Sequence, residues 1–166
     1  VPVNKYGCVN PEDIDSAIRD DTGLITIMLA NNEVGTVEPL QDIAKIAKKH
    51  DILFHSDGVQ VLGKLPIDVQ ELGVDMMSFS AHKFYGPKGV GALYIKEGIA
   101  MKPLIVGGSQ EKSLRAGTEN VGGIAGLGCA AELVTKNLSD VGHALTELET
   151  QFKTKFSEQN TNIIYN

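Results

Sequence analysis

The chain has 166 residues, 42% of them hydrophobic, with two cysteines and a formal net charge of −6. That length suffices for one domain with a sizeable core, and the acidic balance argues against a nucleic-acid surface, which needs clustered lysine and arginine. No apolar run reaches membrane-spanning length, no leader segment is visible, and neither Cys8 nor Cys129 belongs to a CxxC pair; the expectation is a cytoplasmic protein with no membrane span and no metal site.

In chain order, VPVNKYG at the start reads as the tail of a strand, with Cys8 in the turn that follows. Asn10 suits an N-cap and Pro11 a first helical position, and Ile14, Ala17 and Ile18 then share one apolar face until Asp21, Thr22 and Gly23 end the helix. Residues 24–30 (LITIMLA) form a near-continuous apolar run, which predicts a central parallel strand. Leu40, Ile43, Ala44 and Ala47 mark a second helix ending near His50. Residues 52–55 read as a short strand, 59–62 as a short helical segment, and 68–72 as another helical turn ended by Gly73. The apolar stretch 74–79 shows little alternation and predicts a strand buried on both faces, followed by a loop holding Ser80, His82, Lys83, Gly86, Pro87 and Gly89. Residues 91–95 (GALYI) read as a further strand and 104–106 as extended chain.

Residues 121–134 predict a helix crowded with Gly122, Gly123, Gly126 and Gly128. Each glycine costs about 1 kcal/mol against alanine, so the composition calls for tight packing, and Cys129 within it reads as a small buried hydrophobe. Leu138, Val141, Leu145, Leu148, Phe152 and Phe156 recur at steps of three and four and define a last amphipathic helix; Ile163, Ile164 and Tyr165 suggest another strand. Strands alternating with helices place the chain in the α/β class, with a mostly parallel sheet and flanking helices. Both ends read as cut from a longer protein.

Three of these strands end in polar residues: Asn32, then Asp57, then Ser80 with His82 and Lys83. In a parallel sheet such ends open on one crevice, where α/β folds bind ligands. A lysine held there, partly desolvated, has its amine freed for Schiff-base chemistry. Each residue also has a plainer explanation. Asn32 fits a turn in NNEVG, Asp57 a helix N-cap with Gln60 as capping-box partner, His82 a hydrogen-bonded loop histidine, and Lys83 a surface lysine. GPKGVG lacks the GK[ST] ending of a nucleoside-triphosphate loop. Residues 115–118 (RAGT) fit either a plain turn or an anion site at a helix start. Pyridoxal phosphate would join these parts. It requires a lysine amine, a carboxylate beside its ring nitrogen, and donors around its phosphate. Lys83, Asp57, and Ser80 with His82 and Thr118 supply these.

MLANNEVG, HSDGVQVLGKLPID, SFSAHKFYGPKGVGALY and GGSQEKSLRAGTEN resemble, in order and spacing, the cysteine desulfurase family, class V members of the fold-type I pyridoxal-phosphate enzymes. The resemblance covers nearly the whole chain and implies that residues 1–166 are part of the large, cofactor-binding domain. It implies Lys83 as the Schiff-base lysine, Asp57 as partner of the pyridinium nitrogen, and Gln60 as hydrogen-bond partner of the phenolic oxygen. Asn32 would contact cofactor and substrate, Ser80 and His82 would bind the phosphate, and Arg115 would shape the substrate entrance. Thr118 would reach the phosphate of the neighbouring subunit in a homodimer with shared active sites. Ser109 stands where a third glycine is usual, and Ala116 where serine is frequent.

The implied reaction converts L-cysteine to L-alanine and transfers the sulfur as an enzyme persulfide. A sulfur-acceptor protein and a role in iron–sulfur cluster assembly follow from the same resemblance. The family's phosphate loop and ring-stacking histidine are expected upstream of this segment, and its small domain with the nucleophilic cysteine downstream. The segment alone is therefore expected to be inactive, and neither Cys8 nor Cys129 reads as the nucleophile. Selenocysteine lyase or another class V lyase or aminotransferase is the alternative within the family. A non-catalytic binding or scaffold protein is the alternative outside it, and Lys83 and Asp57 argue against that, since a scaffold needs neither.

Overall fold

Asn10 caps the first helix as its side-chain chemistry requires: its Oδ1 accepts the Glu12 N–H at 3.3 Å, and Pro11 opens α1 (Pro11–Ala17). In the computed structural model, which describes residues 1–159, four strands form one sheet in the order β1-β2-β3-β4. β1 (Leu24–Met28), β2 (Leu53–Asp57) and β3 (Met76–Ser80) run parallel, and β4 (Gly91–Ile95) pairs antiparallel with β3. The expectation of a mostly parallel sheet flanked by helices holds. α2 (Leu40–Lys49) carries the chain from β1 to β2, and α3 (Val69–Leu72) from β2 to β3. Asp68 caps α3 by accepting the Gln70 and Glu71 N–H groups at 2.8 and 3.1 Å, and Gly73 ends it in the left-handed region.

Alternate side chains of a strand point to opposite faces of the sheet. On one face Ile25, Phe54 and Met77 pack with Ile14, Leu40, Ile43, Ala47 and Val74 into the main core. Phe54, Ile43 and Met77 are fully buried, and each side chain of that size stabilises the fold by about 1.5–3 kcal/mol. Ser56 shares this face, and its buried hydroxyl finds no partner among the described residues. The opposite face carries Leu24, Thr26, His55, Ser78 and Leu93; Leu24 is 48% and Leu93 42% exposed. Among the described residues the helices thus cover one face of the sheet, and β1, expected at its centre, lies at its edge.

α4 (Val121–Lys136) starts at Asn120, whose Oδ1 accepts the Gly123 N–H at 3.1 Å. Leu127, Ala130, Ala131 and Val134 of α4 pack on Ala81 and Phe84, just beyond β3. Gly126 allows this approach, since a Cβ there would come within 3.0 Å of Pro87. Gly122 and Gly128 meet nothing within 4 Å, so packing explains only part of the small-residue composition. Cys129, expected to be buried, is exposed, because no described residue packs on that side of α4. α5 (Leu138–Gln159) forms as its periodicity predicts, yet Leu145, Leu148, Phe152 and Phe156 remain exposed.

Several local expectations are corrected. Residues 59–62 make turns instead of a helix: Val61 N–H donates to the Gly58 carbonyl, Lys64 N–H to that of Val61, and Gly63 has a positive φ that interrupts helical winding. The first residues form a turn closed by an isolated antiparallel bridge between Val3 and Val9 instead of a strand tail. Residues 104–106, expected as extended chain, bend at Leu104 and Ile105, and Leu104 is 96% exposed. The loop expected after Ser80 begins with a 3₁₀ turn, Ala81–Phe84. The expected strand at Ile163, Ile164 and Tyr165 lies outside the described residues.

Candidate active site

Parallel register aligns Met28 with Asp57, and Asp57 with Ser78. The carboxyl ends of β1, β2 and β3 therefore bring Asn32, Asp57, Ser80, His82 and Lys83 to one edge of the sheet, as the sequence pattern predicts. The 3₁₀ turn then sorts its side chains. Residues three apart lie on the same side of such a turn, so Ala81 and Phe84 both point inward, 0% and 1% exposed, under α4. His82 and Lys83 point outward and are exposed. The Ala81 N–H donates to the Val90 carbonyl and the Gly86 N–H to that of Ala81, which ties the turn to β4. Lys83, expected to be partly desolvated, is instead exposed, and its amine makes no hydrogen bond or ion pair among the described residues.

Ser80 Oγ lies 2.9 Å from His82 Nδ1. If the hydroxyl donates to Nδ1, the neutral ring carries its proton on Nε2; if Nδ1–H donates, the hydroxyl proton is free. Either way the pair keeps one donor for an anion. Asp57 Oδ1 accepts the Val59 N–H at 2.8 Å, an Asx-type turn, so the capping box with Gln60 does not form. Oδ2 of Asp57 has no partner among the described residues. Gln60 accepts from Lys64 Nζ through both its main-chain oxygen and Oε1, at 2.9 and 3.1 Å, which leaves its amide N–H groups available.

The turn after β1 is made by Asn31, whose Oδ1 accepts the Glu33 and Val34 N–H groups at 2.8 and 3.0 Å. Asn32 lies within this turn as expected, but its side chain is not needed to close it and is exposed with no partner among the described residues. Arg115 and Thr118 stand apart, in the segment before α4. Arg115 donates to the Ala116 carbonyl at 2.9 Å, Thr118 is exposed, and no hydrogen bond joins either to the strand-end residues among those described. One residue the sequence reading passed over is His55. Its Nδ1 lies 2.7 Å from Thr26 Oγ1 and its Nε2 2.8 Å from Ser78 Oγ, just before Asp57 on the same side of β2.

These donors and acceptors fit pyridoxal phosphate. An unpaired lysine amine, a carboxylate with one uncommitted oxygen and a serine–histidine pair with a spare donor stand on neighbouring strand ends. Cys8 does not suggest a nucleophile. Burial and the Glu38 carboxylate push the Cys8 thiol above its ordinary value of 9.0, which lowers its thiolate fraction at neutral pH. Among the described residues no helix is long and apolar enough to cross a membrane.

The family described as Aminotransferase class-V matches residues 1–165. The chain is 57% identical over 152 residues to the cysteine desulfurase IscS of Dictyoglomus turgidum, an alignment that covers 92% of this chain and 39% of that protein. Among solved structures, one titled a NifS-like protein superposes with a TM-score of 0.91 at 44% identity, over 95% of this chain and 44% of the other. Another, titled SspA in complex with cysteine, superposes with a TM-score of 0.74 at 49% identity, over 76% of this chain and 37% of the other. The chain thus spans less than half the length of the proteins it resembles.

Proposed function

Because the chain belongs to the class-V aminotransferase family, we propose that it is the cofactor-bearing part of a cysteine desulfurase that converts L-cysteine to L-alanine. The observation that carries this reading is the pairing of Lys83 and Asp57 at neighbouring strand ends, both with uncommitted polar atoms. Pyridoxal phosphate, the cofactor of this family, supplies a protonated ring that withdraws electrons from an amino acid bound to it. Lys83 Nζ would hold it covalently, and the same amine would move the proton at the substrate Cα. Asp57 Oδ2 would hold the ring nitrogen protonated, because an adjacent opposite charge favours the charged form.

Ser80 and His82 would donate to the phosphate, and a Gln60 amide N–H would donate to the phenolic oxygen. Asn32 faces cofactor and substrate, and Arg115 lines the substrate entrance. Thr118 serves the phosphate of a second subunit, which makes the protein a homodimer with shared sites. In the same reading residues 1–166 belong to the large domain, and the sulfur passes as a persulfide through a cysteine other than Cys8 or Cys129. A sulfur-acceptor protein then receives it, in service of iron–sulfur cluster assembly in the cytoplasm. The SspA complex with cysteine supports cysteine as the substrate.

The test uses the whole protein incubated with pyridoxal phosphate, reduced with borohydride and mapped by peptides. The label is expected on Lys83, with alanine formation from cysteine lost in Lys83→Ala. A label on Lys64 or Lys88 would overturn the assignment. A polypeptide confined to these residues is expected to release no alanine.

A further inference from the structure

We propose that His55 is a positioning residue that fixes the Asp57 end of β2 between its two neighbouring strands; the proposal rests on the reading of Asp57 as the carboxylate that faces the cofactor ring. His55 projects from the same side of β2 as Asp57, two residues earlier. Its imidazole reaches Thr26 Oγ1 on β1 at 2.7 Å and Ser78 Oγ on β3 at 2.8 Å, so one ring bridges three parallel strands. The chemistry of the row is matched. A neutral imidazole offers one donor and one acceptor, and a hydroxyl serves as either, so both tautomers satisfy both bonds.

One anchor point flanks Asp57 directly, and the other, Thr26, stands across from His55, two residues before Met28, which faces Asp57 on β1. Ser78 is the register partner of Asp57, and its carbonyl accepts the Gly58 N–H at 2.9 Å. On the other side the Asp57 carbonyl accepts the Leu29 N–H at 2.9 Å, at the end of the strand that carries Thr26. Asp57 and Lys83 sit on different strands and must keep a fixed separation to serve one small ring. A site of this kind tolerates displacements of about 0.5 Å, and about 1 Å can lower a rate by about 10²-fold. The backbone ladder holds strand spacing, while the side-chain bridge also resists sliding and twisting at the strand end. Its place on the sheet face that carries Asp57, two residues before it, gives it leverage on the site that a core contact on the other face lacks.

The test compares His55→Phe, which keeps bulk and removes both bonds, with His55→Gln, which keeps a donor and an acceptor, in the whole protein. One readout needs no cofactor: amide hydrogen exchange at Gly58 and Leu29, relative to the amides of α2. The other is affinity for pyridoxal phosphate by absorbance titration of the apoprotein. Losing two neutral hydrogen bonds should speed exchange at those two amides about tenfold and weaken the affinity about tenfold, with partial recovery in His55→Gln. Unchanged exchange in His55→Phe would overturn the bridge. Faster exchange with unchanged affinity would leave a structural cross-link and overturn the positioning role. Should His55→Phe fail to fold, Thr26→Val and Ser78→Ala each remove one bond and are read the same way. Failure of the functional reading shows separately, as absence of label on Lys83 in the unaltered protein, and the positioning role falls with it.

Discussion

Asp57 stands directly across from Ser78 in the parallel register of β2 and β3, and two residues further along β3 comes Ser80, whose hydroxyl lies 2.9 Å from His82 Nδ1. A carboxylate and an anion-ready pair are therefore one strand spacing apart, about 4.8 Å, and offset along the strand by two residues, about 6.6 Å. That separation suits a small ligand with a cationic ring atom at one end and a phosphate at the other.

Asp57→Asn separates the turn from the chemistry. The asparagine Oδ1 can still accept the Val59 N–H, so folding stability should change by no more than about 0.5 kcal/mol. The charge is gone, and turnover in the whole enzyme should fall by about 10²-fold or more. Steady-state alanine formation and urea unfolding check the two halves. Unchanged turnover would reduce Asp57 to a turn residue.

Subunit mixing tests Thr118. Lys83→Ala and Thr118→Ala variants of the whole protein, differently tagged, are allowed to exchange subunits. With Thr118 acting across a two-fold interface, the heterodimer has one site carrying both defects and one carrying neither, and activity recovers. If tagged heterodimers form without recovery, Thr118 acts within its own chain or not at all.

Gly63→Ala should be among the more damaging single changes outside the site. Gly63 has φ +80°, and a Cβ there would lie 2.8 Å from Val134 Cβ. The backbone term is about 1–2 kcal/mol and the crowding term about 1–3 kcal/mol. With Val134→Ala as the background, adding Gly63→Ala should cost only the backbone term. Denaturant midpoints measure the difference, and equal costs in both backgrounds would show that Val134 moves aside freely.

Asp15 gives the fold a weak acid dependence. Lys49 Nζ donates to its carboxylate at 2.9 and 3.2 Å, and His50 Nε2 lies 2.5 Å away, an arrangement that ties α1 to the end of α2. The hydrogen bond from Lys49, and after it the one with His50, hold the Asp15 carboxyl below its ordinary 3.8. A lowered folded-state value means a contribution present above the unfolded carboxylate value and lost as pH falls through the folded one. The stability gap between the natural protein and Asp15→Asn should therefore be open at neutral pH and close below 3.8. It should also shrink in high salt, because the cluster faces solvent. A gap that widens on acidification would contradict this.

The sequence by itself determined the features that depend on near neighbours. The Asn10–Pro11 start and the Asp68 cap and Gly73 stop follow from side chains bonding to adjacent backbone and from φ preferences. The shared edge of Asn32, Asp57 and Ser80 was legible too, because strands joined by helices run parallel and their ends must face one way. Tertiary structure decided what depends on residues distant in the chain. It gave the turn's side-chain bonds to Asn31 and left the Asn32 side chain uncommitted; it turned Ala81 and Phe84 under α4 and left His82 and Lys83 outside. It left Cys129 exposed against the expectation of burial. The bridge from His55 to Thr26 and Ser78 spans separations of 29 and 23 residues. No local pattern encodes such a contact, because it exists only once three strands have taken their register.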